Sequence, residues 1–163
     1  MKVQVVEHAF APVYDEKSRV LILGTMPSPQ SVKHGFYYSH PQNRFWPLLA
    51  TLFQEEVPCT CEEKRNLALR HGIALWDVLA RCEIAGASDA SIRKPVPNDF
   101  SCVLRETSIE RIFTTGKTAY RLFQALVAPV IGRDAIYLPS TSPANQALFP
   151  WTKLLEAWQI LLQ

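Results

Sequence analysis

The sequence predicts an α/β domain of three layers, with helices on both faces of a central, mostly parallel, four-stranded sheet. Three observations carry this expectation. Short apolar runs alternate along the chain with segments of helical apolar spacing, an order that gives parallel strands joined by right-handed crossovers. The clearest run, residues 19–24 (RVLILG), is uninterrupted and ends in glycine, as a strand covered on both faces must be. The chain has 163 residues with no internal repeat and no shift in composition, so one domain over residues 1–163 with a single core is expected.

Taken in order, residues 1–18 carry Pro12 and the polar stretch DEKS and read as a lead-in arm to the 19–24 strand. Residues 25–42 (TMPSPQSVKHGFYYSHPQ) form a long loop rich in Pro, Ser and aromatics, and a loop of that length inside a small domain is usually functional. Residues 43–53 (NRFWPLLATLF) have helical spacing, with Pro47 near enough to the start to be tolerated; Phe45 and Trp46 are core candidates. A second helix over 62–71 closes at Gly72. Residues 73–78 (IALWDV) are a second strand and 81–98 a polar, Pro-containing loop, after which Asn98 or Asp99 can cap a short helix through Glu106. A third strand, 111–115, meets Gly116, and a helix over 117–127 stops before Pro129. A fourth strand, 135–138, leads through the loop PSTSPANQALFP into a last helix over 151–161, with Trp151 and Trp158 as core candidates.

Composition narrows the class. Apolar residues make up 48% and charged residues 20%, the balance of an ordinary globular protein. No apolar run approaches the ~20 residues that span a bilayer, and MKVQVVEHAF lacks the apolar region of a signal peptide, so the cytoplasm is the default compartment. The four cysteines are expected as free thiols. Cys59 and Cys61 are too close for a zinc pair and no second pair follows, so neither a metal nor a cofactor is expected. A net charge of +2 neither demands nor excludes nucleic acid. Arg93, Lys94 and Lys117 are either a local basic face or scattered surface cations.

In an open α/β sheet, ligands bind beyond the carboxyl ends of the strands, which here lead into residues 25–42, 77–97, 116 and 139–149. GTMPSP and LPSTSPAN offer hydroxyls and backbone N–H groups that suit anions such as DNA phosphates; equally, Pro and Ser there form turns. The chain has no complete P-loop and no GxGxxG, although Gly116-Lys117-Thr118 looks like half of the former. It lacks the HxE and PCxxC pair of zinc deaminases and the GxSxG elbow of hydrolases.

VLILGTMPSP, GFYYSHPQNRFWPLL, GIALWDVL and LPSTSPAN together resemble the uracil-DNA glycosylase superfamily. The resemblance extends from Arg19 to Phe149; it is to the mismatch-specific group and, most of all, to the hypoxanthine (deoxyinosine) branch. It implies a monofunctional glycosylase that flips a deaminated base out of DNA, hydrolyses its N-glycosidic bond and so initiates base excision repair. In the family's first motif an Asp or Asn precedes the proline; here Met26 stands before Pro27 and cannot orient water. The resemblance therefore moves the catalytic role to Asn43. It makes Tyr38 the aromatic that stacks on the flipped base and Asp77 a base reader, with Gly24, Thr25 and Met26 beside the base. It places Pro27, Ser28, His40, Arg44, Pro139, Ser140, Thr141, Ser142 and Asn145 on the DNA. Leu138 stands where the second motif often carries His or Asn, so the leaving base must be stabilised by another group, such as the backbone N–H groups of residues 25–28.

On this reading the Asn43 carboxamide oxygen accepts a hydrogen bond from the attacking water and aims it. An ionised Asp77 is acceptor-only and receives N1–H of hypoxanthine, a proton adenine lacks. Simpler roles stand beside these. Asn43 suits the N-cap of its helix, Arg44 suits phosphate or a carboxylate, Tyr37 and Tyr38 suit packing as well as a cleft, His34 and His40 suit solvent as well as proton donation, and Asp77 suits a cap or salt bridge. Three other functions remain open: a uracil or mismatch glycosylase, a DNA-damage or nucleotide-binding module without chemistry, and a hydrolase of free nucleosides or nucleotides. Nothing in the chain suggests oligomers, and a monomer suits an enzyme that scans DNA with one exposed face.

Overall fold

The computed structural model describes residues 3–8, 10–27, 29–85 and 89–163. The chain runs β1 (Val3–Glu7), β2 (Val20–Gly24), α1 (Pro29–His34), α2 (Phe45–Leu52), α3 (Cys61–Arg70), β3 (Ile73–Asp77), β4 (Leu79–Ala85), β5 (Arg93–Pro97), α4 (Ser101–Glu106), β6 (Arg111–Thr115), α5 (Lys117–Leu126), α6 (Ala128–Ile131), β7 (Ile136–Leu138) and α7 (Trp151–Trp158). Single 3₁₀ turns sit at Asp89–Ser91, Pro143–Asn145 and Gln159–Leu162.

The central sheet has the order β3-β2-β6-β7, and every pairing in it is parallel. β2 lies between β3 and β6 and all five of its residues are buried, which is why RVLILG carries no polar break. Its side chains alternate between two cores. Val20 and Ile22 pack with Phe45, Leu48 and Leu49 of α2, Leu67 of α3 and Trp158 of α7. Leu21 and Leu23 pack with Val103 of α4 and Ala119, Leu122 and Phe123 of α5. Each of these large apolar side chains contributes about 1.5–3 kcal/mol by leaving water, and together they set the three layers that the alternation of elements predicts.

A second sheet, antiparallel with the order β1-β4-β5, corrects the readings of residues 1–18 as an arm and of 81–98 as a loop. Register shifts interrupt the β4–β5 pairing between Leu79 and Arg81 and again between Arg81 and Glu83. Leu79 and Cys82, three positions apart, are therefore both buried, and the period of two that marks a strand is lost. Pro95 and Pro97 lie in β5, an edge strand, which is where a sheet tolerates proline. Between the sheets the chain barely turns. β3 ends at Asp77 and β4 begins at Leu79, with the Val78 and Leu79 N–H groups donating to the Gly24 and Thr25 carbonyls.

Helix starts follow local chemistry. Thr60 and Glu63 form a reciprocal capping box for α3, which moves its start to Cys61. Asp99 Oδ1 accepts the Ser101 N–H at 3.0 Å at the head of α4. Pro129 does not only end α5; it sits in the first turn of α6, where its missing N–H costs nothing. Among the described residues no helix is long and apolar enough to cross a membrane.

Candidate active site

The carboxyl ends of β2 and β3 open into a crevice of about 930 Å³, within the usual range for small-ligand sites. Gly24, Thr25, Met26 and Pro27 lie along one side and Ser140, Thr141 and Ser142 along another. The second sheet supplies a wall, through Gln4 and Val6 of β1 and Cys82 and Ile84 of β4. Tyr38, His40, Asn43 and Asp77 also line it. Residues from four separate stretches of sequence thus meet at the place where the topology puts a ligand site.

Asn43 is held by its oxygen. Its Oδ1 accepts the Phe45 N–H at 2.9 Å and the Thr141 hydroxyl at 2.8 Å. The first bond closes an Asx turn that leads into α2, whose N-cap position is Arg44 and not Asn43; the second ties that turn to the 139–150 loop. A carboxamide oxygen has two lone pairs, and both are occupied. This corrects the expectation that the Asn43 oxygen aims water. The group left to the crevice is the Nδ2 amine, a donor with no protein partner among the described residues.

Asp77 is buried at the end of β3. Its Oδ2 lies 2.7 Å from His8 Nε2, and each side chain is only 5% exposed. The Asn98 side-chain amine donates to the Asp77 carbonyl at 2.9 Å. Gly24 completes the nest, because a Cβ at that position would come within 2.6 Å of Asp77 Oδ1. Glycine ends β2 here because the carboxylate lies against it.

The two tyrosines differ. Tyr37 is core: its hydroxyl donates to the Ala11 carbonyl at 2.9 Å and its carbonyl accepts Trp46 Nε1 at 3.0 Å. Tyr38 is half-buried, stacks on Phe45 with centroids 3.9 Å apart at 14°, and has φ 54°. A tyrosine in the left-handed region is strained by about 1–3 kcal/mol, and such strain gathers at functional sites. The Tyr38 hydroxyl is buried, beside the Thr115 side chain. Burial, reinforced by the nearby Asp77 charge, pushes its pKa well above that of a free phenol, so it stays protonated.

The remaining candidates divide. Ser140 Oγ accepts the Ser142 N–H at 3.1 Å and Ser142 Oγ accepts the Ala144 N–H at 3.2 Å, a self-braced turn at the crevice mouth. His40 Nδ1 accepts the Gln42 N–H at 3.0 Å. Three residues assigned to DNA turn inward instead. Arg44 Nη1 donates to the Phe149 carbonyl at 2.6 Å, and its Nε and Nη2 are shielded from solvent. The buried Pro139 offers its carbonyl to Trp158 Nε1 at 3.0 Å. Asn145 Nδ2 donates to the Ser140 carbonyl at 3.0 Å. These three shape the loop from beneath. Thr141, 1% exposed, acts on Asn43. Ser28 lies outside the described residues. His8 is the site residue the sequence does not reveal. No motif surrounds it, and only the pairing of β1 with β4 brings it to Asp77.

An open parallel sheet with a crevice at its carboxyl edge, lined by an amide, a carboxylate and a stacked tyrosine, defines the chain as an α/β protein of the open-sheet class with a polar ligand crevice. Residues 11–162 match the model of the uracil DNA glycosylase superfamily, and the chain belongs to that family as a DNA glycosylase. It is 33% identical over 143 residues to a hypoxanthine DNA glycosylase of Methanosarcina barkeri, covering 86% of this chain and 89% of the relative. It is 31% identical over 142 residues to a hypoxanthine DNA glycosylase of Methanosarcina acetivorans, with the same coverage. A solution NMR structure from Methanosarcina acetivorans, provisionally assigned as a uracil DNA glycosylase, superposes with a TM-score of 0.80 at 27% identity, over 98% of this chain and 100% of that one.

Proposed function

We propose that this protein excises hypoxanthine from DNA, opening base excision repair, and that it acts as a cytoplasmic monomer on a flipped nucleotide without a cofactor. The observation that carries this reading is the joint presence in one crevice of a fixed acceptor, Asp77, and a free donor, Asn43 Nδ2. Hypoxanthine presents N1–H beside O6. Asp77 accepts N1–H, and adenine, with a bare N1, would leave the carboxylate facing a lone pair. Flipping costs a few kcal/mol, and stacking on an aromatic face such as Tyr38 returns about 1–3 kcal/mol.

In the chemical step the C1′–N9 bond breaks, its electron pair passes to N9 and spreads over the purine, and positive charge develops on the sugar. A water adds to C1′ and loses a proton to solvent, and the purine anion takes one up to leave as neutral hypoxanthine. The transition state is oxocarbenium-like, and the donors of this crevice serve the departing anion. Asn43 Nδ2 and the backbone N–H groups of Thr25 and Met26, which line the crevice, are the candidate donors for it, as in an oxyanion hole. Ser140 and Ser142 at the crevice mouth are the candidates for phosphate.

A second reading, excision of uracil, rests on the same Asp77: uracil N3–H beside O4 presents the same pattern. Duplexes carrying one hypoxanthine, one uracil or only normal bases, treated with alkali after incubation, separate the two. Breaks at hypoxanthine that disappear with Asn43→Ala are the expected result. Breaks only at uracil would replace hypoxanthine as substrate, and tight binding without breaks would make the chain a damage-binding module.

A further inference from the structure

We propose that His8 is a positioning residue of the base pocket: through Asp77 it makes strand β1 part of the machinery that chooses the base. The inference rests on the reading of Asp77 as the base reader.

The geometry assigns the proton. The Phe10 N–H donates to His8 Nδ1 at 3.2 Å, so Nδ1 is the acceptor nitrogen. Nε2 then carries the hydrogen and donates it to Asp77 Oδ2 at 2.7 Å. The ring has little freedom. The His8 N–H is bonded to the Ala80 carbonyl at 2.8 Å, and the imidazole packs edge-on against Phe10 and Trp76, with centroids 6.0 and 6.4 Å away. Asp77 lines the crevice, whereas His8 stands behind it. One carboxylate oxygen is thereby anchored from the rear, and the other is left at the glycine gap beside Gly24.

This arrangement solves a specific problem. A carboxylate with so little solvent is stable only if it is hydrogen-bonded. Without an anchor it would rotate toward whatever donor is available, and the acceptor oxygen would leave the place where N1–H arrives. The neutral Nε2–H donor keeps Asp77 an acceptor and fixes where it points, with the sub-ångström tolerance that recognition requires. Arg or Lys in the same place would add a charge and a flexible stem; a histidine ring held just past the end of β1 adds neither.

The test uses single-turnover excision by the full chain on duplexes carrying hypoxanthine or 1-methylhypoxanthine, which lacks N1–H. Wild type, His8→Leu and His8→Gln are compared, with folding checked by circular dichroism. The Gln amide restores an N–H donor near the position of Nε2, and Leu does not. The expected result is a fall in the hypoxanthine-to-1-methylhypoxanthine rate ratio on the order of 10-fold in His8→Leu, the size of losing one hydrogen bond to a charged group, with the ratio restored in His8→Gln. A merely structural role would lower the active fraction and leave the ratio unchanged. A folded His8→Leu enzyme with the wild-type ratio, or an equal collapse in both variants, would overturn the proposal. Wild type that cleaves uracil alone would sink the hypoxanthine reading and not this one, since uracil against 3-methyluracil gives the same comparison. Wild type that cleaves neither base would end both.

Discussion

The Thr141 hydroxyl donates to Asn43 Oδ1 at 2.8 Å across 98 positions of sequence. It joins the head of α2 to the loop after β7 and decides which end of the Asn43 carboxamide faces the crevice. Removing that hydroxyl should loosen the amide without disturbing the core. Thr141→Val keeps the shape and is expected to slow excision roughly 10-fold, at a stability cost near ~1 kcal/mol; Thr141→Ser should retain the rate. Single-turnover kinetics and urea melts measure the two effects separately.

Asn43→Asp distinguishes donor from acceptor. A carboxylate there can still accept from Phe45 and Thr141, but it offers no hydrogen to the departing base and sets a negative charge beside it. Excision should fall by about 10²–10³, as when one donor of an oxyanion hole is removed. An enzyme made faster by this change would show that the residue aims water through an oxygen instead.

Gly24→Ala probes the glycine gap. The new methyl would meet Asp77 Oδ1 at 2.6 Å, and His8 holds the other oxygen, so the carboxylate must turn. The loss should appear in substrate recognition, roughly 10-fold in kcat/KM, which corresponds to about 1.4 kcal/mol. Comparison of KM and kcat with those of wild type tests it.

Far from the site, Glu55 is bound by Arg70 and by His71. The Arg70 hydrogen bond, followed by that of His71, holds its carboxyl down at about 2 against an ordinary 4.5. Because the folded value lies below the unfolded one, the contribution to stability is complete above pH ~4.5 and is lost as pH falls toward ~2. Glu55 is half-buried and still in contact with solvent, which screens the effect. The urea midpoints of wild type and Glu55→Gln should differ slightly at pH 6 and converge only as pH approaches ~2.

The central sheet was legible because β2 is buried on both faces and cannot hide polar residues. The second sheet was not. Its period is broken by register shifts between Leu79 and Glu83, its edge carries Pro95 and Pro97, and β1 has meaning only once paired to β4. The site followed the same division. Asn43, Tyr38 and Asp77 lie in motifs that resemble a family, and they converge on one crevice. His8 lies in no motif. Arg44, Pro139 and Asn145 are polar or turn-forming residues in the expected loops, yet their hydrogen bonds face inward, a direction that residue type does not encode.

The most direct test of the account is mass spectrometry of the small molecules released when the purified protein meets a duplex with a single hypoxanthine. Free hypoxanthine in equal number with abasic sites, abolished by Asn43→Ala, is the result predicted here. Intact DNA with no released base, or release of uracil but never hypoxanthine from matched duplexes, would contradict it.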